Sequence, residues 1–152
     1  MKEQMRTRSD QGFTIMELVV VMTLALIIMG IALPNLLSWL PTYRLSAGAR
    51  QVASDLQLAR MKAISQNAKF RLIFNGNVYP AATYTFEKDN GGTWGTESGP
   101  FGLPDDITVK DVTATSVFQP RGTVNVISLI TLQNGTDIKQ VQINIVGRVS
   151  IN

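Results

Sequence analysis

The stretch Gly12-Phe13-Thr14-Ile15-Met16-Glu17-Leu18 opens a long apolar segment that has a single carboxylate at its head. After Glu17, no charged residue follows until Arg44. A helix over residues 13–33 would measure about 31 Å, close to the thickness of the hydrocarbon core of a bilayer. An unpaired charge at the edge of a membrane span is costly, so Glu17 is predicted to have a partner and a function.

The residues before this segment form a short polar leader that contains Lys2, Arg6 and Arg8. Basic residues that flank a span favour the cytoplasmic side, so the C-terminal bulk of the chain is predicted to be exported. The alternatives are an ordinary secretory signal cut near Ala32 and a plain uncleaved anchor. The apolar run is long for a secretory signal, and helical patterning continues beyond it, which disfavours the first alternative.

This order of basic leader, glycine, aromatic residue, lone glutamate and membrane-length helix resembles the N-terminal signal of type IV prepilins and of type II secretion pseudopilins. The resemblance implies that a prepilin peptidase cuts between Gly12 and Phe13 and that the new amino terminus of Phe13 is methylated. It also implies that Glu17 guides filament assembly. The charges of the segment are consistent with this role. The Phe13 amine of a subunit displaced by about one helical turn would meet the Glu17 carboxylate.

Helical patterning continues past the apolar run. Pro34 is predicted to kink the helix, because proline lacks an amide and clashes with the preceding turn, and Pro41 is predicted to interrupt it again. Apolar residues then recur at spacings of three and four, which predicts an amphipathic helix that packs on a sheet and ends near Asn67. These residues are Leu45, Ala49, Val52, Leu56, Ala59 and Ala63.

Beyond Lys69, β-branched and aromatic residues separated by turn signals predict short strands. The predicted strands are 70–74, 83–87, 107–109, 116–118, 124–132, 141–145 and 148–151. The glycine-rich stretch from Gly91 to Pro104 is predicted to be a mobile loop, with Trp94 and Phe101 either facing a partner or folded back on the sheet. These elements predict an α+β fold, in which a long N-terminal membrane-spanning and amphipathic helix packs on an antiparallel β-rich globular head.

Three later stretches carry further motifs, namely residues 53–64, which contain Leu58-Ala59-Arg60, then Phe118-Gln119-Pro120-Arg121-Gly122, and Ile145-Val146-Gly147-Arg148-Val149. They resemble the motifs of the GspH/FimT-type minor pseudopilins. The resemblance implies a prepilin leader at 1–12, a transmembrane and assembly helix at 13–43 and a periplasmic or extracellular head at 44–152. It implies as partners the prepilin peptidase, other minor and major pilins or pseudopilins, and the lipid of the inner membrane.

The composition limits the chemistry of the chain. It has no histidine and no cysteine, so the commonest general base and the thiol nucleophile are absent. No catalytic residue and no cofactor are predicted, which disfavours an exported enzyme on a membrane stalk. Asp105, Asp106 and Asp111 could supply oxygen ligands to calcium, but Pro104 before two aspartates is more typical of a turn, so no metal is predicted.

Two functions are favoured over the exported enzyme. The first is a minor pseudopilin or minor pilin that takes part in initiation or tip assembly of a type II secretion pseudopilus or type IV pilus. Before assembly it would cross the inner membrane once, with its head in the periplasm.

The alternative is a DNA-binding minor pilin for uptake in natural transformation, since some FimT-type proteins bind DNA through a Gly-Arg-x-Arg motif. Gly147-Arg148 matches that motif, but Ser150 stands in place of the second arginine. The net charge of +3 does not by itself indicate nucleic-acid binding. Fewer cations release fewer counterions from the phosphate backbone, so only weak binding is predicted, with Arg148 and Arg121 as the contacts.

Overall fold

The computed structural model describes residues 13–135 and 137–152. The chain divides into two compact units, the first ending at Ser38 and the second comprising Trp39–Asn152. Gly12 and the rest of the predicted leader lie outside the described residues. The functional boundary between residues 43 and 44 stays a prediction.

A single helix, α1 (Ile15–Ser65), begins in the first unit and ends in the second. Its stretch Ile15–Leu33 has a mean hydropathy of 2.6, is long and apolar enough to cross a membrane, and is not buried within the chain. Helical hydrogen bonding continues through Pro34 and Pro41, so the predicted interruption at Pro41 is wrong. A continuous helix can still bend, so its continuity does not test the kink at Pro34. That kink stays a prediction.

Two tertiary hydrogen bonds anchor α1 at and just after Pro41. The side-chain amide of Asn134 donates to the carbonyl oxygen of Pro41 at 3.0 Å, and the hydroxyl of Thr42 donates to the carboxylate of Asp137 at 3.4 Å. These bonds attach the helix to the loop that contains Asn134 and Asp137. A proline inside a helix costs about 3 kcal/mol, and such contacts offset part of that cost.

The second unit contains two four-stranded antiparallel sheets. The first consists of β1 (Phe70–Phe74), β2 (Thr83–Asp89), β3 (Trp94–Gly102) and β5 (Val117–Phe118), in the spatial order β3-β2-β1-β5. The second consists of β4 (Thr108–Val112), β6 (Ser128–Gln133), β7 (Ile138–Ile143) and β8 (Val149–Ile151), in the order β4-β6-β7-β8. A 3-10 turn, Asn75–Asn77, follows β1. The predicted α+β fold class is confirmed.

Two predicted elements differ most from the structure, while others differ by a few residues at their ends, as for 107–109 against β4 and 141–145 against β7. The stretch from Gly91 to Pro104 is not a loop throughout, because it contains β3, which pairs with β2 from Trp94 to Gly102. The strand predicted over 124–132 begins only at Ser128, since Val124 forms an isolated bridge to Phe118. In both cases a neighbouring strand, rather than local propensity, decides which residues are extended.

Both aromatic side chains of β3 fold back on the sheet. The Phe101 ring lies 5.9 Å from the Tyr84 ring and 5.6 Å from the Phe86 ring, measured between centroids. The guanidinium of Arg71 lies 4.0 Å from the centroid of the Trp94 ring, within the range of a cation–π contact. These ring contacts attach a glycine-rich strand to its neighbours.

The predicted apolar stripe of the helix is buried as a unit. Its members are at most 2 % exposed, and they are Leu45, Ala49, Val52, Leu56, Ala59 and Ala63. The stripe packs in one core with strand residues that include Phe70, Phe86, Phe118 and Leu132. Gly48 permits a close approach, since a Cβ there would lie 3.1 Å from the Cγ2 atom of Ile107.

A polar contact also joins α1 to β2. The Tyr84 hydroxyl donates to the carboxylate of Asp55 and accepts from the side-chain amide of Gln51 at 2.9 Å. Burial, followed by the hydrogen bond to Asp55, raises the pKa of Tyr84 well above its usual 10.0. The hydroxyl therefore stays protonated near neutral pH and is able to donate this hydrogen bond.

Candidate functional site

The first candidate site is the N-terminal segment of the described chain, residues 13–17. Phe13 and Glu17 are exposed, and the hydroxyl of Thr14 accepts a hydrogen bond from the Glu17 N–H at 3.2 Å. Thr14 is therefore the N-cap of α1, and Thr14-x-x-Glu17 has the spacing of a capping box. Thr14 is not among the residues predicted to be functional, although this spacing is a sequence signature.

Glu17 is exposed and lies at the N-terminal end of α1. Throughout residues 13–135 and 137–152, no lysine or arginine nitrogen lies within 4.0 Å of it. Glu17 also lies in the first turn of α1, where the helix dipole stabilises an anion. The segment thus presents a fixed negative charge at the head of an exposed apolar helix.

The second candidate site brings the three later sequence motifs together. We call it the arginine corner, and its residues are Arg60, Arg121, Gly122, Gly147 and Arg148. The Nε atom of Arg60 donates to the Gly122 carbonyl oxygen at 2.8 Å, and its Nη2 atom donates to the Val146 carbonyl oxygen at 3.3 Å. One helix side chain therefore holds two turns that are 62 and 86 residues away in sequence. Sequence spacing carries no signal for contacts at this separation, so Arg60 is absent from the predicted site residues.

Two glycines allow these turns to touch. Gly122 and Gly147 have φ angles of 79° and 76°, and a Cβ on Gly147 would lie 2.1 Å from the Gly122 carbonyl oxygen. Asn144 closes the turn between β7 and β8, because its carbonyl accepts from the Gly147 N–H at 2.9 Å and its side chain accepts from the Arg148 N–H at 2.8 Å. The contact leaves no room for a side chain at Gly147.

The arginine corner concentrates positive charge. Arg121 and Arg148 are exposed, and each is the chain neighbour of one of the two touching glycines. In the part of the chain that the structure describes, neither these two arginines nor Arg60 has a carboxylate oxygen within 4.0 Å. Such a cluster attracts anionic groups. The two arginines predicted as DNA contacts therefore lie at one corner.

A groove of about 440 Å³ lies beside the arginine corner. It is lined by Gln57, Arg60, Met61, Ile64, Gly147, Arg148 and Val149. Met61 and Ile64 are 59 % and 50 % exposed, so the groove combines apolar surface with two guanidinium groups. This combination suits an amphipathic ligand better than a purely ionic one.

The aspartates considered as calcium ligands do not form a cluster. Asp106 pairs with Arg44 at 3.0 Å, and its turn is closed by the N–H of Ile107, which donates to the Pro104 carbonyl oxygen at 3.1 Å. Asp111 lies in β4. Among the described residues, no group of three or more histidine, cysteine, aspartate or glutamate side chains is placed to hold a metal ion.

Sequence profiles of two families match the chain. The profile of the prokaryotic N-terminal methylation motif matches residues 7–33. The profile described as type II transport protein GspH matches residues 48–147, more than half of the chain.

This chain belongs to the GspH family.

The resemblance inferred from the sequence motifs is thereby confirmed. Gly12, Phe13 and Glu17 fall inside the methylation-motif match, and Arg60, Gly122 and Gly147 fall inside the GspH match.

Two solved structures share the fold of this GspH-family chain. The type IV minor pilin FimU of Pseudomonas aeruginosa aligns with 73 % of this chain and 90 % of its own, with a TM-score of 0.58 and 18 % identity. The minor pseudopilin EpsH from the type 2 secretion system of Vibrio cholerae aligns with 72 % of this chain and 96 % of its own, with a TM-score of 0.57 and 14 % identity. No curated protein sequence matches significantly. The matched structures are those of pilin-like proteins rather than enzymes.

Proposed function

We propose that this GspH-family chain is a minor pseudopilin or minor pilin that takes part in initiation or tip assembly of a type II secretion pseudopilus or a type IV pilus. The observation that carries the proposal is the exposed apolar stretch Ile15–Leu33 headed by Glu17. Such an apolar surface must be shielded from water. The lipid of the inner membrane covers it before assembly, and the helices of neighbouring subunits cover it afterwards.

Charge pairing sets the register of assembly in this proposal. The basic leader stays in the cytoplasm and the head enters the periplasm. Cleavage after Gly12 by the prepilin peptidase leaves an amine on Phe13, which keeps its positive charge when methylated. The amine of one subunit then pairs with Glu17 of a neighbour, since an unpaired ion in this medium costs several kcal/mol. The Thr14 cap holds the first turn that carries the carboxylate.

The state of the N-terminus tests this function. We expect the protein isolated from the cell envelope to begin at Phe13 and to carry one added methyl group, as measured by intact-protein mass spectrometry. Gly12→Leu should retain the leader, because a larger side chain does not fit a peptidase that accepts glycine.

Gly30→Ala is the matched control. A Cβ at Gly30 meets no atom within 4 Å, so this variant should be processed normally. A wild-type chain that keeps its leader, or that is cut near Ala32, would instead identify an anchored or a secreted protein.

A second candidate function, DNA binding for uptake, is favoured by the arginine corner. Arg121 and Arg148 are exposed there, have no carboxylate oxygen within 4.0 Å among the described residues and are available to phosphate groups. Two phosphate contacts would lower the affinity about 12-fold between about 50 and 200 mM salt, so we expect weak binding that fades as salt rises.

A gel shift with the full chain in detergent measures this binding. Arg148→Ala should weaken it several-fold, while Lys110→Ala, which removes an exposed cation from β4, should not. Tight binding at physiological salt that collapses in Arg148→Ala would make DNA capture the main function.

A further inference from the structure

The outer edge of β8 is open. β8 is the last strand of its sheet, so within residues 13–135 and 137–152 one of its two edges has no neighbouring strand. Gln140 and Asn152 exchange backbone hydrogen bonds at 3.1 and 2.9 Å. Because hydrogen-bonded and non-hydrogen-bonded positions alternate, Val149 and Ile151 are non-hydrogen-bonded positions, and their N–H and C=O groups point away from β7. No backbone or side-chain group in residues 13–135 and 137–152 bonds to these outward groups.

The apolar face of this sheet is buried at β7 but is partly exposed to solvent at β8. Val141 and Ile143 of β7 are at most 1 % exposed, whereas Ile151, which lies opposite Val141, is 39 % exposed. Opposite residues of an antiparallel pair share one face of the sheet, so Ile151 extends the buried layer into solvent. A further strand beside β8 would extend the layer and bury this side chain.

The groove continues from this edge to the helix. Val149 lines it from the strand side, and Met61 and Ile64 line it from α1. Arg60 and Arg148 line it as well, and neither has a carboxylate within 4.0 Å among the described residues. The surface therefore combines unpaired strand hydrogen-bonding groups, apolar side chains and uncompensated positive charge.

We propose that this groove accepts an extended acidic segment of another protein chain, which adds as a strand to the free edge of β8. Main-chain bonds to Val149 and Ile151 would supply affinity, and alternate side chains of the segment would supply specificity. Apolar side chains of the segment cover Met61, and a carboxylate pairs with Arg148. The inference rests on the function proposed above, in which the partner is a neighbouring filament subunit. An open strand edge and exposed apolar side chains favour a polypeptide over a nucleic acid.

A defined peptide tests the docking. The probe is a capped, dye-labelled peptide of alternating valine and threonine with one central glutamate, titrated into the full chain in detergent micelles. We expect saturable fluorescence anisotropy, together with slower hydrogen exchange at the amides of Val149 and Ile151 and not at the edges β3 and β4. A peptide with lysine in place of glutamate should bind about tenfold more weakly.

Two pairs of variants separate the backbone contribution from the charge contribution. Ile151→Pro removes an outward N–H, a position where an edge strand tolerates proline, and it should abolish binding, whereas Ile151→Val should retain it. Arg148→Gln should weaken binding about tenfold, whereas Lys110→Gln, at the opposite edge of the same sheet, should not. If Ile151→Pro fails to fold, the Arg148 pair and the exchange pattern still decide the matter.

Several results would overturn the proposal. They are undiminished binding to folded Ile151→Pro, exchange protection at β3 or β4 instead of β8, and binding of a short oligonucleotide where the peptide does not bind. Protection of β8 that rises with chain concentration in the absence of peptide would identify a second copy as the occupant and would also overturn it.

The proposed filament function and the proposed docking can be disproved by different results. If the peptide docks but the chain is not cut after Gly12, the docking stands and the filament assignment falls. If Ile151→Pro enters filaments as well as wild type does while Glu17→Ala does not, the filament assignment stands and the docking falls.

Discussion

Replacing Gly147 with alanine should lower the free energy of unfolding of the second unit by on the order of 3–5 kcal/mol. The new Cβ would lie 2.1 Å from the Gly122 carbonyl oxygen and 2.9 Å from the Nε atom of Arg60. The nearer atom belongs to the backbone and cannot rotate away, so the two turns must separate. Their separation also weakens the hydrogen bonds from Arg60 that hold them.

Gly147→Ala introduces both a close contact and backbone strain, and the variant Gly91→Ala separates these two effects. Gly91 has a φ angle of 82°, similar to that of Gly147, but a Cβ there meets no atom within 4 Å. Strain alone should cost about 1–2 kcal/mol. Chemical unfolding of the full chain in detergent, followed by circular dichroism, measures both variants. Equal losses in the two variants would show that the contact with Gly122 contributes nothing to stability.

The Glu17→Ala variant should insert and be processed normally, yet enter filaments at least about tenfold less than wild type, since an unpaired ion costs several kcal/mol. Removing the charge makes insertion easier, so the membrane-bound amount should not fall. What is lost is the counter-ion for the Phe13 amine of a neighbouring subunit. The ratio of processed chain in purified filaments to processed chain in membranes measures this effect.

Two further variants separate the charge of Glu17 from its place in the helix cap. Glu17→Gln keeps the size and polarity of the side chain but should fail as Glu17→Ala does. Thr14→Ala removes the cap at a cost of about 1 kcal/mol to the helix but keeps the carboxylate, so it should assemble nearly as well as wild type. Unchanged recovery of Glu17→Ala in filaments would contradict a pairing role and would be consistent with a place at the tip.

Local patterns account for what the sequence predicted correctly in the fold. Spacings of three and four placed Leu45 to Ala63 on one buried face, because a helix repeats every 3.6 residues regardless of what packs on it. Runs of β-branched and aromatic residues that end in turn signals likewise predicted β1 and most of β2. Pairing partners account for what was missed. The strand β3 contains three glycines and forms because β2 lies beside it, and the helix continues through Pro41, whose carbonyl oxygen accepts a hydrogen bond from Asn134.

The sequence by itself determined the apolar span, the lone Glu17 at its head and the helix-then-strands order that places the chain in its family. These features are local, so neighbouring residues suffice to specify them. Only the tertiary structure decided that Arg60 would hold the turns of Gly122 and Gly147, and that β8 would be left with an open edge beside a basic groove. Those features depend on contacts between segments 62 and 86 residues apart and on strand order, and no local periodicity encodes either.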